Sequence, residues 1–292
     1  MVDQWGLAAA AVPSVWARTT GSSDVTVAVI DGGVDAIADL QANLAPAVRC
    51  RPECVPEATP DPDGHGTSVA SVLGSVGDNR IGLAGVAWTV RIVPVAATDD
   101  RGELSPIAVA NGLRWAAGQG IRVAALPLTL GGDQPEVERA IVESPDLLVV
   151  VPAGNDGLDL DASGTSVQPC VQPAPNVVCV TALRPDGTID ERSNRGGASV
   201  DLAAPGIDVP AADRRGRIIR VSGTSFAVPM VAGAAALLLS AHPDATTQDL
   251  QDALRCGARP LPTTGADIST GALDVDVSVR VLDDGSATIG RC

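Results

Sequence analysis

The chain has 292 residues with 35 acidic and 20 basic side chains, a formal net charge of −15 at pH 7, and every basic residue is an arginine. Such a surface lacks the clustered positive charge that holds a nucleic-acid backbone, so nucleic acid is excluded as a partner class. No apolar stretch runs for the ~20 residues of a bilayer span without turn signals, and the 31 glycines and 22 prolines are spread through the chain rather than massed in a linker.

Read in chain order, the opening MVDQWGLAAAAVPSVW carries Asp3 and no positive charge ahead of its apolar residues, which does not fit a signal peptide. The expectation is a mature chain, with any signal and pro-segment removed or never present. Val25–Ile30 is an apolar run broken only by Thr26, read as a strand buried on both faces, and Asp31 follows it directly. His65 stands in the glycine-flanked turn DGHGT, ahead of a helix expected over Thr67–Val76. A strand at Arg91–Val95, a helix at Ile107–Gln119, a strand at Val123–Leu128 and a helix at Pro135–Glu143 come next. The strand Leu147–Val151 runs into Pro-Ala-Gly-Asn, which leaves Asn155 just beyond its end, and Val177–Thr181 is a further strand. Arg214, Arg215, Arg217 and Arg220 read as a solvated hairpin tip. Ser225 lies in SGTS, ahead of a core helix at Phe226–Ala241, and Thr246–Arg255 is the last helix expected. This alternation predicts an α/β fold, a mostly parallel sheet with helices on both faces, whose active residues lie at the C-terminal strand ends. Residues 1–292 are expected to form one domain.

Six cysteines fall into three local pairs, which points to disulfides and an oxidising compartment. Among fifteen connectivities the expected one joins Cys50 to Cys54, Cys170 to Cys179 and Cys256 to Cys292. Zinc is disfavoured, because the only histidines are His65 and His242.

A serine hydroxyl is a weak nucleophile near neutral pH and needs a base to take its proton. With two histidines in the chain the choice is narrow: His242, before Pro243, reads as structural, and His65 reads as the base. Asp31 would hold the imidazole in one tautomer, and Asn155 would donate its side-chain N–H to an oxyanion together with the backbone N–H of Ser225. The order Asp, His, Ser is itself diagnostic, since unrelated folds place the same three residues in different orders.

The motifs VAVIDGGVD, DGHGTSVASVLG, VVVPAGNDG, DLAAPG and SGTSFAVPMVAGAAALLLSAHPD, in this order, resemble the subtilisin-like serine protease (subtilase, peptidase S8) family. The similarity covers residues 4–283 and leaves 284–292 as a short extension. The resemblance implies a three-layer α/β fold with a seven-stranded, mostly parallel sheet, and endopeptidase activity through an acyl-enzyme, with no cofactor for the chemistry. It implies polypeptide substrates, a monomer, a pro-segment made with the enzyme, and a secreted or envelope-exposed location. It also implies that LPLTLGG pairs with the substrate backbone, with Thr129, Leu130 and Gly131 beside the S1 pocket and Ala153 and Gly154 on the opposite wall. Structural calcium, frequent in the family, would fall near Asp39 and Asn79.

Several features depart from the family pattern. The serine helix reads SFAVPM, with Phe226 and Met230 expected to pack, and Pro127 removes one backbone donor from the substrate edge. With no tyrosine and one phenylalanine, aliphatic pocket walls are expected. Asp159 and Asp161 read either as an acidic pocket for a basic P1 residue or, as favoured by the acidic composition, as a solvated loop. Two alternatives stand beside the general endopeptidase. One is a dedicated processing protease similar to the mycosins of type VII secretion. The other is a catalytically attenuated binding module on the same fold.

Overall fold

In the computed structural model, which describes residues 3–99, 103–162, 167–171, 174–262 and 267–285, the segments without a polar face become the interior of a sheet. Two short helices, α1 (Trp5–Ala9) and α2 (Val12–Trp16), precede β1 (Gly21–Asp31). A small hairpin follows, β2 (Val48–Cys50) and β3 (Cys54–Pro56), then α3 (His65–Gly74), β4 (Thr89–Ala96), α4 (Pro106–Gly118), β5 (Val123–Ala125), β6 (Leu130–Gly131) and α5 (Pro135–Val142). The second half contains β7 (Leu148–Pro152), β8 (Val167–Gln168), β9 (Val177–Leu183), β10 (Leu202–Pro205), and the hairpin β11 (Val209–Ala212) and β12 (Ile218–Val221). It closes with α6 (Thr224–Ala241), α7 (Thr247–Cys256), β13 (Gly271–Ala272) and α8 (Val275–Asp283).

The main sheet runs β13-β10-β9-β7-β5-β1-β4-β2-β3, and every neighbouring pair is parallel except β2 with β3. Side chains of a strand alternate between faces, and β1 shows this directly. Val27 and Val29 enter one core with α3, α6, α7 and α8, while Ala28 and Ile30 enter the other with α4 and α5. Burial on both faces is why β1 reads as a nearly continuous aliphatic run rather than an alternating one. The helices on both faces and the parallel sheet agree with the sequence reading. The sheet has nine strands among the described residues where the resemblance implies seven, and three of the nine, β13 and the β2/β3 hairpin, are edge pieces of two or three residues.

Boundaries shift for local reasons. The strand expected over Val123–Leu128 stops at Ala125; Leu126 still donates to the Val150 carbonyl, and Pro127, without an N–H, ends the ladder. Helix α3 begins at His65, two residues earlier than expected, because Gly64 takes a left-handed φ of 96° as its N-cap. Thr246 and Asp249 form a reciprocal capping box at the start of α7. Helix α6 is the one described helix long and apolar enough to cross a membrane, and 83% of it is buried in the core, as expected of a central helix.

The bridges Cys50–Cys54 and Cys170–Cys179 are formed, and Cys292 lies outside the described residues. Cys179 sits fully buried in β9, so its bridge ties the segment before that strand to the sheet. Replacing Cys170 and Cys179 together with alanine is expected to lower stability by about 2–3 kcal/mol, the chain-entropy value for so short a loop. Urea unfolding midpoints of the double variant and the parent check this.

Candidate active site

Where β1 ends, Asp31 is almost completely buried, and its two oxygens have different partners. Oδ1 accepts from the Gly32 N–H at 2.7 Å, and Oδ2 accepts from His65 Nδ1 at 2.8 Å. This approach of α3 to β1 depends on glycine: a Cβ on Gly66 would lie 2.1 Å from the Gly33 carbonyl and 3.1 Å from the Asp31 side chain. The GHG spacing is therefore a packing requirement at this junction.

The turn carrying His65 is organised by Asp61, whose side chain is fully buried. Its carboxylate accepts from the Gly64 N–H at 2.9 Å, the Thr67 N–H at 2.7 Å and the Thr67 hydroxyl at 2.6 Å. Burial pushes the Asp61 carboxyl up from the usual range, against those hydrogen bonds and with the Asp31 charge adding to the rise. Thr67 Oγ1 also accepts from the Asp35 N–H, and Asp35 Oδ1 accepts from the Asp61 N–H. Arg214 closes the outer side, donating to Asp35 Oδ2 at 2.8 Å and to the Pro62 carbonyl at 3.2 Å. The arginine run is thus a hairpin tip, as expected, but Arg214, Arg217 and Arg220 each hold a carboxylate (of Asp35, Asp213 and Asp208) instead of standing free in solvent. A groove of about 520 Å³ opens here, between Asp63, Gly64 and Ser68 and the hairpin residues Arg214 to Ile219.

Burial alone would pull the His65 imidazole down, but the hydrogen bond to Asp31 and the charges of Asp31, Asp63 and Asp61 outweigh it and leave the pKa raised above the ordinary histidine value. The His65 ring lies 5.5 Å from the ring of Phe226, the residue that follows Ser225 in the first turn of α6. Phe226 and Met230 are buried, as expected.

Beyond the end of β7, Asn155 is oriented by the residue before Ser225. Its Oδ1 accepts from the Thr224 N–H at 2.9 Å and from the Thr224 hydroxyl at 3.2 Å, and Thr224 Oγ1 accepts from the Gly154 N–H. With its carbonyl oxygen engaged, the amide has only its Nδ2 hydrogens left to offer. Thr129 and Gly154 face each other, a Cβ on Gly154 coming within 3.4 Å of Thr129 Cγ2. Leu130 and Ala153 turn their side chains into the core. Gly131 and Leu130 pair antiparallel with Val167 and Gln168.

Comparison with known proteins gives the family: the family model described as the subtilase family covers residues 22–272. The chain belongs to the subtilase family. It is 32% identical to Subtilisin BL of Lederbergia lenta, over 94% of this chain and 98% of that protein. It is 30% identical to an alkaline protease of Shouchella clausii, over 94% of this chain and 70% of that protein. A solved structure of a protease from Pseudoalteromonas arctica PAMC 21717 superposes with a TM-score of 0.80 at 27% identity, covering 95% of this chain and 96% of that one. As a subtilase it is a serine endopeptidase, and the chemistry of the family needs no cofactor.

The remaining candidates of this subtilase sort by their contacts. His242 sits at the far end of α6, about 25 Å along the helix from Ser225 by its rise per residue, and pairs with Arg18 and Asp283, in keeping with a structural role. Asp161 is drawn into a turn, its oxygens accepting from the Ala198 and Ser199 N–H groups, and Asp159 accepts from the Asp161 N–H. Both residues are exposed, which agrees with the solvated-loop reading. Asp39 Oδ1 accepts from Asn79 Nδ2 at 2.7 Å and Oδ2 from the Leu83 N–H at 2.8 Å, while Asn79 Oδ1 accepts from the Ile81 N–H. The backbone of Gly82 lies so close that a Cβ there would be 2.0 Å from Asp39 Oδ2. A calcium ion takes about six to eight oxygens; in this arrangement both Asp39 oxygens and the Asn79 oxygen accept from N–H groups. No group of three or more His, Cys, Asp or Glu side chains that could hold a metal occurs among the described residues. The sequence reading missed Asp61, Thr67, Thr224 and Asn194. Thr67 and Thr224 lie inside motifs already recognised and Asp61 lies two residues before one, so their signal was a polar residue within four positions of a site residue. Asn194 had no signal of its own.

Proposed function

We propose that this subtilase cleaves extended polypeptides with Ser225 as nucleophile, His65 as base and then acid, Asp31 as the group orienting His65, and Asn155 Nδ2 with the Ser225 N–H as oxyanion donors. The observation carrying this reading is the 2.8 Å bond from His65 Nδ1 to Asp31 Oδ2. With Nδ1–H donating to Asp31, Nε2 keeps its lone pair and can take the Ser225 proton as the oxygen attacks the scissile carbonyl. The imidazolium so formed is stabilised by the same carboxylate, and it then protonates the leaving amine. Water reverses the sequence on the acyl-enzyme. Asn155 is set for its part because Thr224 occupies its Oδ1, which leaves N–H as the face offered to a developing oxyanion.

Thr129, Leu130 and Gly131 on one side and Ala153 and Gly154 on the other are the proposed place for an added peptide strand, and the approach of Thr129 to the side-chain-free Gly154 supports recognition through backbone. Two disulfides support action in an oxidising, extracytosolic compartment, and the family supports polypeptide substrates. A fluorophosphonate probe tests the assignment: labelling located at Ser225 by mass spectrometry, and lost in Ser225→Ala, is expected. A folded sample that takes no label would mean the serine is not activated.

The active base is neutral, so kcat/KM should fall as pH drops through the raised pKa of His65. The acid limb therefore lies above the ordinary histidine value. Asp63 is one of the charges raising it, and it accepts from the His65 N–H, a bond that asparagine can preserve. Asp63→Asn is expected to move the acid limb to lower pH, more at low salt than at high, because this exposed charge is screened. A pH profile at two ionic strengths reads the shift; an unmoved limb at low salt would remove Asp63 from the electrostatics of the base.

A further inference from the structure

We propose that Asn194 is a positioning residue that holds the segment bearing Asn155 in register with Ser225; this rests on the reading of Asn155 as an oxyanion donor. Strand β7 ends at Pro152, and the segment beyond it leaves the sheet with its backbone groups in need of partners. Asn194, fully buried, supplies them. Its Oδ1 accepts from the Asp156 N–H at 3.1 Å and the Leu158 N–H at 2.9 Å, and its Nδ2 donates to the Ala153 carbonyl at 2.8 Å. Its own backbone N–H donates to the Gly154 carbonyl at 2.9 Å. These four bonds bracket Asn155 on both sides and touch no other segment.

The fit leaves no slack. Gly154 has a φ of 103°, and a Cβ there would lie 2.4 Å from Asn194 Nδ2, so the segment rests directly on the amide. Asn194 is itself anchored: its carbonyl accepts from the hydroxyl of Thr181 in β9 at 2.8 Å. The loop before it is fastened by the buried Asp190, which binds Arg184 and Arg192. Asn155 is thus held at two points, its side chain by Thr224 and the backbone on either side of it by Asn194. Asparagine suits the task because one planar group carries two acceptor and two donor sites. Serine offers one hydroxyl and alanine nothing. Loss of the amide would let the segment relax, and a displacement near 1 Å at a reacting group costs up to about 100-fold.

The experiment is a double-mutant cycle of Asn194→Ser with Asn155→Gly on a peptide substrate, with Asn194→Ala beside it and folded fraction measured by circular dichroism. Asn194→Ser should lower kcat about 10-fold or more per folded molecule while KM stays within about twofold. On top of Asn155→Gly it should cause no further loss, because the group it positions is gone. Should the alanine variant fold, its loss is expected to be larger; should it not, the serine variant carries the test. The proposal is overturned if Asn194→Ser leaves kcat unchanged, if its loss appears in KM, or if the two losses multiply in the double variant. If Asn155→Gly alone leaves kcat intact, the oxyanion reading itself fails, and that result is distinct from the other three.

Discussion

Ser225→Ala is expected to lower kcat on a peptide substrate by about 10⁶-fold, a size known for the nucleophile of a subtilisin and taken over here on that basis. The substitution deletes one oxygen from the first turn of α6 and nothing else. The backbone N–H of residue 225 survives, and Thr224 keeps its two contacts to Asn155. The helix behind is buried along its length and should fold as before. Binding and oxyanion stabilisation therefore persist, and with them a residual acceleration of about 10³ over water. KM and melting temperature should change little while kcat collapses and fluorophosphonate labelling disappears. A variant that kept its peptidase activity would move the nucleophile elsewhere.

Asp31→Asn is expected to cost about 10⁴-fold in kcat, and the reason can be read from the two oxygens of Asp31. The Gly32 N–H donates to Oδ1, so an asparagine must keep its carbonyl there and turn its NH₂ toward His65. That amide donates where the carboxylate accepted. Nδ1 of His65 is then forced to accept, the proton moves to Nε2, and the base arrives at Ser225 already protonated. Loss of the carboxylate also removes the largest influence raising the His65 pKa. Steady-state kinetics at a pH above the acid limb separates the two effects, since the tautomer block persists there. Activity within about tenfold of the parent under those conditions would show that Asp31 does not set the tautomer.

The parts of the site legible in the sequence were those whose chemistry depends on neighbours in the chain. Asp31 follows a strand with no polar face, His65 sits between two glycines, Asn155 follows β7, and Ser225 starts the most apolar helix. Each sits where a buried element ends, and the pattern that marks the element also marks the residue. The pocket residues were less legible. Thr129 approaches Gly154 while the side chains of Leu130 and Ala153 enter the core, and residue identity does not reveal which way a side chain turns where a strand is interrupted by Pro127. The arginine run gave a hairpin tip correctly and its partners not at all: Arg214 reaches Asp35, 179 positions away.

The sequence by itself determined the family, the parallel sheet, the order of Asp, His and Ser, and two of the local disulfides, all matters of local pattern and spacing. Tertiary structure alone decided how those residues are held. Asp61 and Thr67 brace the His65 turn, Thr224 takes the oxygen of Asn155, and Asn194 pairs the backbone around it. It also decided that Asp39 and Asn79 satisfy each other. The physical reason is common to all of them. A buried polar group must find a partner, and the identity of that partner depends on which segments the folded sheet brings together rather than on anything adjacent in the chain.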